Sequence, residues 1–315
     1  MIIKDKKFCE TMTNEIEPFL EKIRNDAFFR SFDGNEIHYE AYINENAKAS
    51  VLVLHGFCES AEKFREAVYY FYNESFNVFA PDLRGHGRSF RTSLKEGTVN
   101  IDSFDEYKKD LEVFIKAVVK KDADNLPLLA YTHSLGSTVV LLYMAENENV
   151  IDKCVLSSPM ICGNMGMPVA VAGSVAKLVC SVGGKNISAP GRCVFDENQS
   201  FENSDSVSEE RFYYYHNKRK ENPLYRTNGP AFCWVKASLE ARDKILETAE
   251  KLKGDFLVIR PAEDKQLLSS YQDNFISLAK NVKVLQTENT KHEIFSSESE
   301  TLEKYYKDIF DFFGV

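Results

Sequence analysis

Ser134 lies inside Thr132-His133-Ser134-Leu135-Gly136, after the apolar run Leu128-Leu129-Ala130-Tyr131 and before a second run from Thr138 to Tyr143. That pattern reads as strand, tight turn and helix, with a hydroxyl at the tip of the turn. The helix N-terminus behind it offers free N–H groups and positive potential, which acyl transfer needs for its oxyanion. A serine so placed also serves as a plain N-cap, so the chemical reading depends on partners elsewhere. The usual pattern is Gly-x-Ser-x-Gly; Thr132 takes its first position and Ser137 follows Gly136, which implies a slightly more open turn.

A serine nucleophile needs a base, the base needs a carboxylate, and the oxyanion needs two donors. Of six histidines, His133 would point sideways from the serine's own turn, His38 lies in a hairpin, and His216 lies among tyrosines. His292, in Lys291-His292-Glu293, follows the final apolar strand and shares a sheet edge with Ser134, so it is the expected base rather than a solvated loop residue. The acid is expected after the strand at 256–260, where Pro261-Ala262-Glu263-Asp264-Lys265 follows. Asp264 is preferred and Glu263 is the fallback, the unused one being a surface ion-pairing group. The loop after 153–157 offers Ser157-Ser158-Pro159 and no carboxylate. The oxyanion donors are expected to be the N–H groups of Leu135 and of Phe57, within His55-Gly56-Phe57-Cys58-Glu59-Ser60. Asp82-Leu83-Arg84-Gly85-His86-Gly87-Arg88-Ser89 lacks Gly-Lys-Ser/Thr and an immediate helix start, so it is assigned to bracing these loops rather than to phosphate.

These groups must be carried by a suitable frame. Asp33-Gly34-Asn35 between 28–32 and 36–43 predicts an N-terminal hairpin. Short continuous apolar runs at 51–54, 77–80, 127–131, 153–157, 256–260 and 282–286 predict strands covered on both faces. Helical patterns alternate with them, clearest after the capping box Ser103-Phe104-Asp105-Glu106, where Phe104, Tyr107, Leu111, Phe114, Ile115 and Val118 form one stripe. Alternation of this kind means an α/β fold with a mostly parallel sheet. It breaks between about 160 and 237, too long a stretch for a bare loop. The expected organisation is a core over 1–159 and 238–315, with 160–237 as an inserted cap. Within it, 165–184 is rich in Gly, Ala and Ser and interrupted by Lys177, a poor spanning helix and better suited to a lid.

With 39 basic and 48 acidic residues the formal charge is −9, which argues against nucleic acid as a partner. The cysteines Cys9, Cys58, Cys154, Cys162, Cys180, Cys193 and Cys233 are odd in number and include no CxxC, so neither a disulfide framework nor a zinc site is expected. The first residues lack an apolar stretch fit for secretion, and a cytoplasmic location is the plain expectation.

As a set, the segments 55–60, 82–89, 132–136, 263–264 and 291–293 resemble the α/β-hydrolase fold, and within it the lysophospholipase and monoacylglycerol lipase group. The bacterial lysophospholipase L2 type is similar in particular, through Ala189-Pro190-Gly191 and Gly229-Pro230 to Trp234. The resemblance covers nearly the whole chain from about residue 28. It implies a triad of Ser134, Asp264 and His292, no metal or organic cofactor, and an acyl ester of a lysophospholipid or monoacylglycerol as substrate. Met165, Met167, Val169, Val171, Val175, Leu178 and Val179 are candidate walls of an acyl tunnel, or simply pack the cap onto the core. Met160, Tyr214 and Trp234 are candidate substrate contacts, and the cap is expected to touch membrane surfaces transiently. The rival readings are a serine aminopeptidase, using the acidic stretch 196–210 to hold an amine, and a non-catalytic binding protein on the same fold. Dehalogenases and epoxide hydrolases of this fold use an aspartate nucleophile, which Ser134 speaks against.

Overall fold

The computed structural model describes residues 2–314 apart from Leu94, Asp124, Arg192 and Cys193, so one of the seven cysteines weighed above lies outside the described residues. Ten strands occur among them: β1 Arg24–Arg30, β2 Glu36–Tyr42, β3 Ala49–Leu54, β4 Phe76–Pro81, β5 Thr98–Val99, β6 Leu128–His133, β7 Lys153–Ser157, β8 Gly229–Pro230, β9 Asp255–Arg260 and β10 Val282–Gln286. Eight form one sheet in the order β1-β2-β4-β3-β6-β7-β9-β10. Only the hairpin strand β2 runs against its neighbours β1 and β4; every pair from β4 to β10 is parallel. The hairpin turns where expected, with Gly34 at φ 82° and Asp33 accepting from the Asn35 N–H.

The principal helices are α1 Arg65–Asn73, α2 Phe104–Phe114, α3 Leu135–Met144, α4 Val169–Ser181, α5 Glu209–Glu221, α6 Phe232–Thr248, α7 Ser269–Leu278 and α8 Ser299–Phe313. Successive strand side chains point to opposite faces, so one strand feeds two cores. Leu52 and Leu54 pack with α2, α3 and α6, whereas Val51 and Val53 pack with α1 and α8. This is why the central strands carry unbroken apolar runs. The capping box at Ser103 forms as the spacing predicts, its hydroxyl accepting from the Asp105 N–H and Glu106 reaching back to the Ser103 N–H.

Two features were not anticipated. Residues 5–23 form a helical segment whose Phe8, Met12, Ile16 and Leu20, spaced by four, are all buried in the second core. The expected end of the cap at 237 falls inside α6, which runs without a break from cap to core. The cap carries α4 and α5, and it is tied to the core where β8 pairs in parallel with β5. The segment expected to be a lid contains α4.

Candidate active site

β6 ends at His133 and α3 begins at Leu135, which leaves Ser134 alone at the junction with φ 47° and ψ −110°. A positive φ in a non-glycine residue costs on the order of 1–3 kcal/mol, and such strain collects at functional positions. The turn is tight because Gly136 lies directly against β3: a Cβ there would come 2.3 Å from the Leu54 carbonyl oxygen. Thr132 and Ser137, the departures from the common pattern, explain one another. Their hydroxyls are 2.8 Å apart, and the Thr132 hydroxyl also meets the Val155 carbonyl at 2.9 Å.

His292 sits in the loop after β10, buried, with Nδ1 2.9 Å from Asp264 Oδ2. The other oxygen of Asp264 accepts from the N–H groups of Gln266 and Leu267, at 2.9 and 3.1 Å, which fixes the carboxylate in its loop. Burial would raise the Asp264 carboxyl, but the hydrogen bond and charge of His292 hold it below the usual range. Burial would likewise depress His292. The Asp264 bond and charge, with Asp205 and Glu293 nearby, outweigh this and push its titration above the ordinary histidine value. Glu263, the fallback acid, is exposed. Ser134 and His292 line the same cavity, and no hydrogen bond joins them among the described residues. Such contacts commonly tighten only when substrate arrives.

The N–H groups of Phe57 and Leu135 are the positions expected for oxyanion donors, and neither is spent on a protein acceptor among the described residues. The Phe57 loop is held from behind, since the Gly56 N–H donates to Glu59 Oε2 at 2.6 Å. The Lys63 ammonium then binds both Glu59 and Glu293, joining this loop to the one that carries His292. Sequence reasoning quoted Glu59 without a role and passed over Lys63. The signal was the four-residue spacing of opposite charges. His133 is buried with its ring 4.8 Å from that of His292; burial, then the nearby His292 and Lys63, keep it neutral. Asp82 confirms the bracing role of its loop: it accepts from the N–H groups of Ala61 and Arg88 and lies 2.8 Å from His38 Nδ1.

A cavity of about 720 Å³ opens over Ser134. Met160 and Trp234 line it, Trp234 with its ring 4.4 Å from that of Phe57 and its indole N–H on the Tyr107 hydroxyl. Of the tunnel candidates, Met165, Met167 and Val175 also line it, whereas Val171 and Leu178 do not and are exposed. Tyr214, expected as a substrate contact, does not line the cavity: its hydroxyl donates to Glu17 and its ring meets Phe8 edge-on. The next residue, Tyr215, lines the cavity instead. Asp26, His38 and Glu40 bring possible metal-ligand atoms within 4.8 Å of one another, but Arg24, Arg65 and Arg88 already neutralise the carboxylates there.

Similarity to known proteins agrees with this geometry. Residues 45–300 match the family described as serine aminopeptidase, S33. A probable lysophospholipase L2 of Haemophilus influenzae is 23% identical over 316 residues, which covers 100% of this chain and 99% of that protein. A monoacylglycerol lipase of Mycolicibacterium smegmatis is 28% identical over 170 residues, 53% of this chain and 59% of that one. Among solved structures, a soluble variant of monoglyceride lipase from Saccharomyces cerevisiae superposes with a TM-score of 0.72 at 17% identity, covering 91% of this chain and 94% of its own. The match spans most of the sequence, and the sheet has the order and directions of that fold: this chain belongs to the serine aminopeptidase, S33, family of α/β hydrolases.

Proposed function

We propose that the protein is a serine carboxylester hydrolase acting on single-chain acyl lipids, lysophospholipids or monoacylglycerols, through an acyl-enzyme. His292 takes the Ser134 proton at Nε2 while Asp264 holds Nδ1–H and the imidazolium that forms. The Ser134 oxygen attacks the ester carbonyl, and the Phe57 and Leu135 N–H groups receive the oxyanion. Each such donor is worth about 3–4 kcal/mol in the transition state. His292 then protonates the leaving glycerol oxygen. In the second half it takes a proton from water, the hydroxide attacks the acyl carbon, and the fatty acid leaves as Ser134 regains its proton.

The observation that carries this reading is the bonded His292–Asp264 pair beside a strained serine in one large, partly apolar cavity. The full-length likeness to a probable lysophospholipase L2 supports the substrate class. The aminopeptidase reading has the family's description behind it, but of the acidic residues between 196 and 210 only Asp205 lines the cavity among the described residues. We also place the protein in the cytoplasm, in keeping with the free thiols of Cys9, Cys154, Cys162, Cys180 and Cys233.

Ser134→Ala should reduce hydrolysis of a p-nitrophenyl ester on the order of 10⁴-fold or more while leaving the fold intact. A fluorophosphonate probe should label the wild type alone. Retained turnover would remove Ser134 as nucleophile, and preferential release from aminoacyl naphthylamides would favour the peptidase.

A further inference from the structure

The cations that line the cavity are not equivalent. Lys63 is held by Glu59 and Glu293, and Arg211 by Glu66 and Asp5, so both are neutralised in place. Arg219, near the C-terminal end of α5, is different. Its Nε donates to the Tyr225 carbonyl at 3.0 Å, and its Nη2 donates to the Thr227 carbonyl at 2.9 Å and to Asn228 Oδ1 at 3.4 Å. Its guanidinium lies 4.5 Å over the Phe195 ring. Every one of these partners is neutral, and no carboxylate pairs with it among the described residues, in a chain whose acids outnumber its bases.

The consequence is a fork fixed in orientation with its charge left over. Ordering a guanidinium beforehand lowers the cost of its later bonds, and Nη1, which has no hydrogen-bond partner among the described residues, is left to donate to a phosphate oxygen. Asn228 and Gln199 add polar groups to the same lining, while Met165, Val175 and Val235 supply apolar wall. A monoacylglycerol has no group to answer that charge. A lysophospholipid has one, joined through glycerol to the ester that Ser134 would attack.

We infer that Arg219 seats the phosphate of a phosphodiester headgroup, so that the cavity selects lysophospholipids over monoacylglycerols of the same acyl chain; this rests on the esterase reading above.

The test compares kcat/KM for palmitoyl lysophosphatidylethanolamine and monopalmitoylglycerol in wild type, Arg219→Gln and Arg219→Lys. Glutamine keeps a donor for the carbonyls but removes the charge. The ratio of the two values should fall at least about tenfold in Arg219→Gln, the size expected for a lost charge-assisted bond, and by less in Arg219→Lys. An unaltered ratio, or a wild type that cleaves only the monoacylglycerol, overturns the assignment. Failure on both esters without fluorophosphonate labelling sinks the esterase reading itself and is thereby told apart. Should the variants not fold, soluble glycerophosphoethanolamine should compete in the wild type where glycerol does not. Equal inhibition by glycerol removes the phosphate seat, and equal inhibition by inorganic phosphate reassigns it to a free anion and overturns the headgroup reading.

Discussion

His292 is the residue whose chemistry depends most on its surroundings. A base must be unprotonated to work, and its neighbours raise its titration above the ordinary imidazole value of about 6.5. Activity should therefore fall as pH drops through a value above that of free imidazole, so the acidic limb of kcat/KM lies on the high side. Asp205 is one of the charges responsible, and it contacts Gln266 rather than the triad. Asp205→Asn removes that charge at nearly constant shape, so the acidic limb should move to lower pH on a p-nitrophenyl ester. A limb that stays in place would show that Asp205 does not set the protonation of the base, leaving Asp264 and Glu293. Both oxygens of Asp264 are engaged, one by His292 and one by two backbone N–H groups, which is why it and not its exposed neighbour Glu263 holds the imidazole. Sequence order placed both acids in the right loop. Only the turn, which directs one side chain inward, could choose between them.

At the level of elements, the junction of β6 and α3 is tightly constrained. Gly136→Ala would set a methyl group against backbone rather than against a yielding side chain. It should cost on the order of 1–3 kcal/mol, the range for overpacking, and should lower kcat more than it raises KM because the serine turn shifts with it. Thermal melts and ester kinetics together read both effects; native values of each would mean that β3 can retreat. The strands were legible because central parallel strands bury both faces and so leave continuous apolar runs. The N-terminal helical segment was not, although its four-residue spacing of apolar side chains was present, because no capping side chain marks its start and Pro18 falls inside it. The error at Tyr214 has a geometric cause. Each helical step turns about 100°, so adjacent tyrosines on α5 face different surroundings, and a run of aromatics does not say which one points inward. Arg219 is not legible in the sequence for a related reason: a lysine- and arginine-rich helix end reads as solvated surface until the partners of each charge are known.

Across the whole molecule the cap is held unevenly. On α5, Arg211 binds Glu66 and Asp5, and Lys218 binds Glu17 and Glu62, so this half is anchored to the core and to the N-terminal segment. On the other half, Val171, Leu178, Val182 and Ile187 are exposed by 50, 65, 76 and 56%, with Lys177 close by in sequence. Among the described residues no helix is long and apolar enough to cross a membrane. We propose that this apolar face edged by lysine makes shallow contact with an anionic bilayer. Leu178→Asp should weaken co-sedimentation with phosphatidylglycerol vesicles several-fold and reduce turnover of vesicle-borne substrate more than that of a soluble ester. Equal sedimentation of both proteins would dismiss the membrane contact.

Asp5 meets the cap through Arg211 and also accepts hydrogen bonds from the N–H and hydroxyl of Ser299, where α8 begins. Partners 294 positions apart cannot find one another until residue 299 has been made. A nascent chain leaving the ribosome therefore has all its strands made before this knot can be tied, and long-range closures of that kind form slowly. The joining of this cap anchor to α8 is accordingly a late event in the birth of the enzyme, and a ribosome stalled before residue 299 would display Asp5 fastened to the roof alone.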